Sequence, residues 1–280
     1  MKWERGYRSE RVDDMRGRGG SGGSLPMGLF IMLFRTFGLR GVIVGAVLLG
    51  GLYLFTGGQA TSLSREGSAT TTAGDDEMAS FVSFVFDDVQ STWSRAFAER
   101  GQRYEPARMT LFTGKVSSAC GFASAAVGPF YCSRDQRVYI DLSFYQALRG
   151  ELGAPGDFAQ AYVIAHEVGH HVQNLTGGLR HSGEEGADAG SVRTELQADC
   201  LAGVWAHDTS RRDLLEQGDI AEAMRAAEAI GDDTLQQRSG QAIRPESWTH
   251  GSSAQRTAWF ERGLETGTVE ACDTFERGAL

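Results

Sequence analysis

The residues best suited to chemistry lie in one short stretch, residues 162–172, which contains the pattern H-E-x-x-H. His166 and His170 are four positions apart, so on an α-helix their imidazoles lie one above the other on one face. Two imidazoles placed in this way can bind one zinc ion. Glu167 lies beside the open side of that metal, where it can accept a proton from water. The pattern therefore predicts a zinc-dependent hydrolase with Glu167 as the general base.

The sequence around this pattern predicts a helix. Apolar residues recur at spacings of three and four and form a buried stripe: Ala161, Ile164, Val168, Val172 and Leu175. The turn at residues 155–157 precedes the helix, and Gly177 stops it. An accidental match on a charged helix face is the alternative. Two observations favour the metal: only 6 of 280 residues are histidine, and a mostly apolar helix that buries histidines must give them partners.

A catalytic zinc site usually has three protein ligands and one open position. The best third ligand lies in a second amphipathic helix around residues 192–205. Glu195 and Asp199 are four apart there, so we expect Glu195 to bind zinc and Asp199 to accept the N–H of a ligating histidine. A solvated acidic face is the alternative, but the surrounding helix is apolar. Three other residues are rival ligands: Cys200, His207 and His171. The last points about 100° away from His170 on the helix.

Three stretches between the helical regions have the composition of β-strands: 108–115, 129–132 and 137–142. They follow an amphipathic helix at 79–100 and predict a small antiparallel sheet just before the metal helix. In zinc proteases an edge strand in this position aligns the substrate backbone by strand addition. We expect that role for residues 130–133 or 138–141.

The four cysteines are disulfide candidates if the body of the protein lies outside the cytoplasm. Cys120 and Cys132 are close in sequence, and Cys200 and Cys272 would form the second pair. Four cysteines allow three connectivities, and buried free thiols are the alternative.

The C-terminal part is predicted to be helical at 213–217, 219–237 and 254–263, with Ser252 capping the last helix. His250 lies in the loop before that cap, a good position for a group that reaches into a cleft. It is a candidate catalytic residue that donates a hydrogen bond to the oxyanion. A structural role is the alternative.

Charge and hydropathy divide the chain before these elements. Residues 1–40 have a balance of +4 within a net charge of −9, which leaves an acidic body and argues against nucleic acid as a partner. Residues 41–60 then carry no charge and number 20, the length that a bilayer requires. The positive charge before this span predicts a cytoplasmic N-terminus and a body outside. A cleaved signal peptide is the alternative, but about forty residues precede the apolar run, more than such a leader has.

The predicted organisation has four parts. Residues 1–40 are a basic, disordered cytoplasmic tail with an interfacial segment at 27–37; residues 41–60 are a transmembrane anchor; residues 61–78 are a linker; and residues 79–280 are the zinc-binding domain.

Taken together, these motifs resemble those of the bacterial membrane-anchored family of neutral zinc metallopeptidases. The resemblance runs through an RGYR tail at residues 5–8, HEVGHHVQNLTG at 166–177, ELQADCLAGVWA at 195–206 and HGSSAQR at 250–256. It implies zinc dependence and a zincin-type fold. The E-x-x-x-D placement of Glu195 and Asp199 is similar to the gluzincin pattern, which supports their roles as third ligand and histidine partner.

The sequence thus predicts an α+β zincin-like domain with a small antiparallel sheet, the H-E-x-x-H helix and a helical C-terminal half, tethered by one transmembrane helix. We expect one Zn²⁺ per chain and hydrolysis of peptide bonds in a peptide or protein by a single-pass inner-membrane metalloendopeptidase. Two rival functions stay open. One is a membrane-tethered binding or scaffolding protein with a structural zinc, and the other is a hydrolase of cell-wall peptide crosslinks.

Overall fold

The computed structural model of the chain describes residues 1–17, 73–124, 128–178, 187–276 and 278–279. The predicted anchor at 41–60, the interfacial segment and most of the predicted linker lie outside these residues. Among the described helices, none combines the length and apolar character needed to cross a bilayer.

Seven α-helices lie in the described part of the chain. They are α1 (Ala73–Glu99), α2 (Ser143–Gly150), α3 (Asp157–Thr176), α4 (Ala187–Arg211), α5 (Asp219–Ala229), α6 (Asp232–Arg238) and α7 (Ser253–Thr266). Two short 3₁₀ helices, Pro245–Ser247 and Val269–Cys272, lie in the C-terminal part. Together with two small sheets, these helices confirm the predicted α+β class.

Six strands accompany the helices: β1 (Val12–Asp14), β2 (Arg108–Phe112), β3 (Lys115–Ser118), β4 (Gly121–Ser124), β5 (Phe130–Cys132) and β6 (Arg137–Asp141). The main sheet has the order β1-β2-β6-β5, and β3 and β4 form a separate hairpin. Strands β1, β2 and β6 are parallel, and only β5 is antiparallel to its neighbour. The predicted antiparallel pairing is confirmed for β5 and β6 but wrong for β2, which is parallel to β6. The chain passes from β2 through the hairpin and β5 before β6 enters the centre of the sheet in the same direction as β2, and burial at the centre is typical of parallel strands.

The first 17 residues are ordered, in contrast to the disordered tail that their composition predicted. β1 extends the main sheet by pairing with β2. The Trp3 ring meets Phe81 of α1 edge-on with centroids 5.3 Å apart, and the Tyr7 hydroxyl donates to Asp87 of α1 at 3.0 Å. These contacts, together with ion pairs from the amine of Met1 to Asp157 and Asp219, hold the polar segment against the body. The segment has few apolar residues, so its composition alone did not indicate that it folds.

Helix α3 runs through the core. Residues Phe158 to Gly169 are buried without interruption, and they include Ala161, Ile164 and Val168 of the predicted apolar stripe as well as His166 and Glu167. The predicted apolar face of α1 is also buried, and this helix begins at Ala73, within the predicted linker. Helix α3 ends at Gly177, whose φ of 83° is in the left-handed region that favours glycine. This predicted glycine stop is confirmed.

Helices α4 and α7 approach each other at backbone distance. A Cβ added at Gly263 would lie 1.9 Å from the carbonyl oxygen of Cys200, and one at Gly203 would lie 2.1 Å from that of Phe260. No larger residue fits at either position without moving a helix. This contact holds α7 and the loop before it against α4, the helix that contains Glu195.

Both predicted disulfides are present. Cys120–Cys132 ties the β3–β4 hairpin to β5, and Cys200–Cys272 ties α4 to the last 3₁₀ helix. All four cysteines are paired.

Two predictions for the C-terminal helices need correction. Residues 213–217 are not helical, and the predicted helix at 219–237 is two helices that break at Ile230 and Gly231. A Cβ added at Gly231 would lie 2.4 Å from the amide nitrogen of Ser253, so the break allows close packing against the start of α7. The predicted cap of α7 is confirmed: Ser252 and Gln255 form a capping box.

Candidate metal centre and active site

Helix α3 presents His166 and His170 on one face, and α4 brings Glu195 opposite them. The Glu195 carboxylate lies 3.1 Å from Nε2 of His166 and 3.4 Å from Nε2 of His170. The three ligand atoms lie within 4.8 Å of one another. The structure thus brings together the three side chains that the sequence predicted as metal ligands.

A glycine on α3 makes this convergence possible. A Cβ added at Gly169 would lie 3.0 Å from the carbonyl oxygen of Ala198 on α4. Without a side chain at this position, the two helices pack closely enough for a glutamate on one to reach the histidines on the other. This observation agrees with the close backbone packing expected for a glycine inside a helix.

Both histidines hydrogen-bond through Nδ1, which leaves Nε2 facing the centre of the site. His166 donates to Oδ1 of Asp199 at 2.7 Å, the contact expected from the sequence. His170 donates to Oε1 of Gln173 at 2.8 Å. Gln173 is oriented by its own donation to the carbonyl of Thr194 at 2.7 Å. These outer contacts fix the tautomer of each ring.

Asp199 is completely buried and accepts hydrogen bonds from four groups. Besides His166, Tyr162 donates its hydroxyl at 2.5 Å. Arg256 of α7 donates Nε to Oδ2 at 2.8 Å and Nη2 to Oδ1 at 3.0 Å. Burial favours a higher pKa of Asp199, but Arg256 and His166 outweigh it and hold the pKa below its ordinary value. Asp199 is therefore an ionised carboxylate behind the ligating ring.

The electrostatics of the three candidate ligands favour a cation. Burial lowers the pKa of His166, but Asp199 and Glu195 outweigh it and raise that pKa to about 10. Burial would likewise raise the pKa of Glu195, but His170 and His166 pull it well below its usual range. Two imidazoles and one ionised carboxylate around one point are the donor set of catalytic zinc. The residues present therefore fit the metal.

Glu167 lies beside this donor set and is 7% exposed. Burial raises its pKa, while the positive charge of His170 and His166 opposes the increase. A carboxylate with a raised pKa is a better proton acceptor near neutral pH than an ordinary surface glutamate.

His250 lies on the wall of the same cleft, with its side chain 49% exposed. Its Nδ1 is 3.2 Å from Oδ1 of Asp232, and this hydrogen bond raises the pKa of His250. The same aspartate accepts the backbone N–H groups of Thr249, His250 and Gly251 at 2.7 to 3.1 Å, which fixes the loop. Sequence reasoning missed Asp232 because a pair of aspartates at a helix start usually indicates only a cap.

The rival ligands are engaged elsewhere. His171 is buried, donates Nε2–H to the carbonyl of Glu105 at 2.7 Å and accepts from the Tyr131 hydroxyl at 2.9 Å. His207 donates to the carbonyl of Leu264 at 2.7 Å. Cys200 is in a disulfide.

The metal-facing side chains open into a cavity of about 650 Å³ that also borders β5 and α2. Of the two strands expected to align a substrate, β6 lies between β2 and β5, so both its edges are occupied. β5 is an edge strand of the described sheet, and its Phe130 and Tyr131 line the cavity. The free edge beside the metal site is therefore that of β5.

Comparison with known proteins agrees with this geometry. A family model described as "putative neutral zinc metallopeptidase" matches residues 1–275. The chain belongs to this family.

Two relatives illustrate how far the family likeness extends. YpfJ of Escherichia coli is 41% identical over 288 residues, covering 98% of this chain and 99% of the relative. Rv2575 of Mycobacterium tuberculosis is 47% identical over 190 residues, covering 63% and 65%. Both are titled uncharacterized proteins, and no solved structure matches the chain. Membership supports a zinc-dependent hydrolase at the level of reaction class.

Proposed function

We propose that this protein is a zinc metalloendopeptidase that hydrolyses internal peptide bonds of a peptide or protein. The observation that carries the proposal is the convergence of His166, His170 and Glu195 on one point beside Glu167, at the floor of an open cleft. A structural zinc is usually enclosed by four protein ligands. Three converging donors and an accessible fourth side therefore favour catalysis over a scaffolding role.

The chemistry divides between the metal and the chain. Zinc held by the three donors would polarise the scissile carbonyl and lower the pKa of water toward ~7. The Glu167 carboxylate accepts the proton of the attacking water and passes it to the leaving amine. His250 on the cleft wall, held by Asp232, donates a hydrogen bond to the oxygen that becomes negatively charged.

The remaining cleft features favour an endopeptidase. The free edge of β5 offers backbone groups that can pair with an extended substrate on both sides of the scissile bond. Among the described lining residues, the only arginine or lysine is Arg256, whose guanidinium is committed to Asp199. The described part of the cleft lining therefore offers no free guanidinium or ammonium group for the terminal carboxylate that a carboxypeptidase would bind.

The test is hydrolysis of a broad library of internally quenched peptides by the purified full-length chain. The wild-type protein should cleave library members, lose this activity after treatment with a chelator and recover it with stoichiometric zinc. Glu167→Gln should bind zinc but not cleave. Hydrolysis of purified peptidoglycan, measured in parallel, tests the alternative that the protein hydrolyses cell-wall peptide crosslinks. A zinc-loaded wild-type protein that cleaves neither substrate would contradict the proposal and favour the scaffold.

We further propose that the catalytic body works outside the cytoplasm, attached to the inner membrane by the apolar residues 41–60. Two disulfides favour an oxidising compartment. Paired strands must share one compartment, so the pairing of β1 with β2 supports placing residues 1–17 beside the body. A single crossing of the membrane between residues 17 and 73 would place these two strands on opposite sides. The β1–β2 pairing therefore argues against both the cytoplasmic N-terminus and the single-pass crossing predicted from the sequence.

Trypsin added to spheroplasts tests this location. Peptides from residues 1–17 and from the body should be released together, without lysis. Release of body peptides while residues 1–17 stay protected would contradict the shared compartment. Protection of both until lysis would contradict the location outside the cytoplasm.

A further inference from the structure

The lining of the cleft changes character along α3. Val163, His166, Glu167 and His170 all line the cavity, and Val163 precedes His166 by three positions and Glu167 by four. The first is apolar, and the others belong to the proposed catalytic site. One helical turn, about 5.4 Å, therefore separates an apolar floor from the metal-binding floor.

Apolar side chains from other elements form the walls of the cavity next to Val163. Apart from β5 and Pro129 before it, the apolar side chains that line the cavity are Phe144 and Ala147 of α2, Leu152, Val163 of α3, Ile230, and Leu235 of α6. Arg238 of α6 donates a hydrogen bond to the carbonyl of Glu151 at 2.7 Å, which holds α6 beside the loop that carries Leu152. The walls are thus fixed relative to each other.

This apolar surface faces the cavity and is incompletely covered. Leu235 is 37% exposed, and Phe144, Leu152 and Ile230 are partly exposed although they pack against the core. An apolar side chain that fills the space removes this surface from water on both partners. Glu151 lines the same cavity, and no free arginine or lysine accompanies it among the described lining residues. An acidic side chain is therefore disfavoured there.

We propose that Phe144, Leu152, Val163, Ile230 and Leu235 form an apolar subsite for the side chain of a substrate residue directly next to the scissile bond. Consecutive residues of an extended peptide are about 3.3–3.4 Å apart. A residue whose amide group is at the metal therefore reaches one helical turn away with its side chain. This inference rests on the proposed peptidase function and specifies its substrate class: polypeptide segments with Leu, Ile, Met or Phe at the cleaved bond.

The experiment compares matched peptides in which each residue flanking the cleaved bond is varied. At one flanking position the wild-type protein should cleave peptides with Leu or Phe about 10- to 100-fold more efficiently than peptides with Ser or Asp. Leu235→Lys should reduce this ratio at least several-fold and improve the relative rate with Asp. Leu235 is already partly exposed, so the substitution is compatible with folding.

Ile243→Lys is the matched control, because Ile243 is 54% exposed and lies outside the cavity lining. It should leave the preference unchanged. Binding of the same peptides to zinc-loaded Glu167→Gln, measured by fluorescence anisotropy, should give the same order of affinity without turnover.

The possible results distinguish a failure of the subsite proposal from a failure of the proposed peptidase function. Efficient cleavage with no preference for apolar residues at either flanking position would overturn the subsite and leave the peptidase intact. A preference that Leu235→Lys and Ile243→Lys alter equally would also overturn it. The absence of both cleavage and peptide binding in the wild-type protein would overturn the two proposals together.

Discussion

Replacement of Arg256 by methionine tests how the metal site is supported from behind. Arg256 is 2% exposed and forms two hydrogen bonds to Asp199, which is 0% exposed. Methionine occupies much of the same volume but provides no donor and no charge. Arg256→Met therefore leaves a buried carboxylate without its strongest partner.

The expected cost follows from the contacts that remain. Removal of one partner of a buried ion pair typically costs about 3–5 kcal/mol. Asp199 keeps hydrogen bonds from Tyr162 and His166. We therefore expect Arg256→Met to lower the free energy of unfolding by about 3 kcal/mol, the lower end of this range. Loss of an outer contact of this kind also weakens metal binding by about 10- to 100-fold.

The assay is urea unfolding of the zinc-free protein together with a competitive zinc titration. Arg256→Lys keeps the positive charge but cannot donate two parallel hydrogen bonds. Its free energy of unfolding and its zinc affinity should therefore lie between those of wild type and Arg256→Met. When Asp199 is already replaced by Asn, Arg256→Met should lower the free energy of unfolding by less than it does in the wild-type protein. The difference, the coupling energy of the two residues, should be about 2 kcal/mol. The reasoning would be refuted if Arg256→Met alone lowered the free energy of unfolding by less than about 1 kcal/mol, or if its effect were the same with and without Asp199→Asn.

Three further predictions concern other parts of the molecule. The hydrogen bond to Asp232 raises the pKa of His250, so its protonated form persists to higher pH. Asp232→Asn should move the alkaline loss of kcat to lower pH, and an unchanged pH profile would argue against His250. Gly263→Ala should lower the free energy of unfolding by about 1–3 kcal/mol through overpacking, whereas Gly150→Ala, with no atom within 4 Å of the added Cβ, should not. Reduction of the disulfide with a sequence separation of 72 residues should cost about 4 kcal/mol in the chain-entropy model, measured as a lower calorimetric Tm.

The sequence predicted the arrangement of the metal-facing residues because their geometry is mostly local. Helical periodicity alone places His166 and His170 on one face and Glu195 and Asp199 on another. Only the meeting of the two helices is long-range, and Gly169 was a signal for it. The Cys120–Cys132 disulfide is also close in sequence, whereas Cys200–Cys272 was predicted only as the pair that remains, one of three connectivities that four cysteines allow.

The contacts that sequence reasoning missed are all long-range. Arg256 lies 57 positions beyond Asp199, and the spacing of the two residues carries no signal of their contact. The parallel pairing of β2 with β6, and of β1 with β2, depends on crossovers that strand composition does not reveal. The ordered N-terminal segment has the composition of a disordered tail, and its folding depends on surfaces provided by α1 and β2.

The most direct test of the central claim is the turnover of Glu167→Gln, normalised to its bound zinc. The three ligands are unchanged in this variant, so it should retain one zinc per chain. Its kcat on a cleaved peptide should fall by at least about 10²–10⁴-fold, the usual contribution of a general base. Turnover close to wild type at full zinc occupancy would contradict the account.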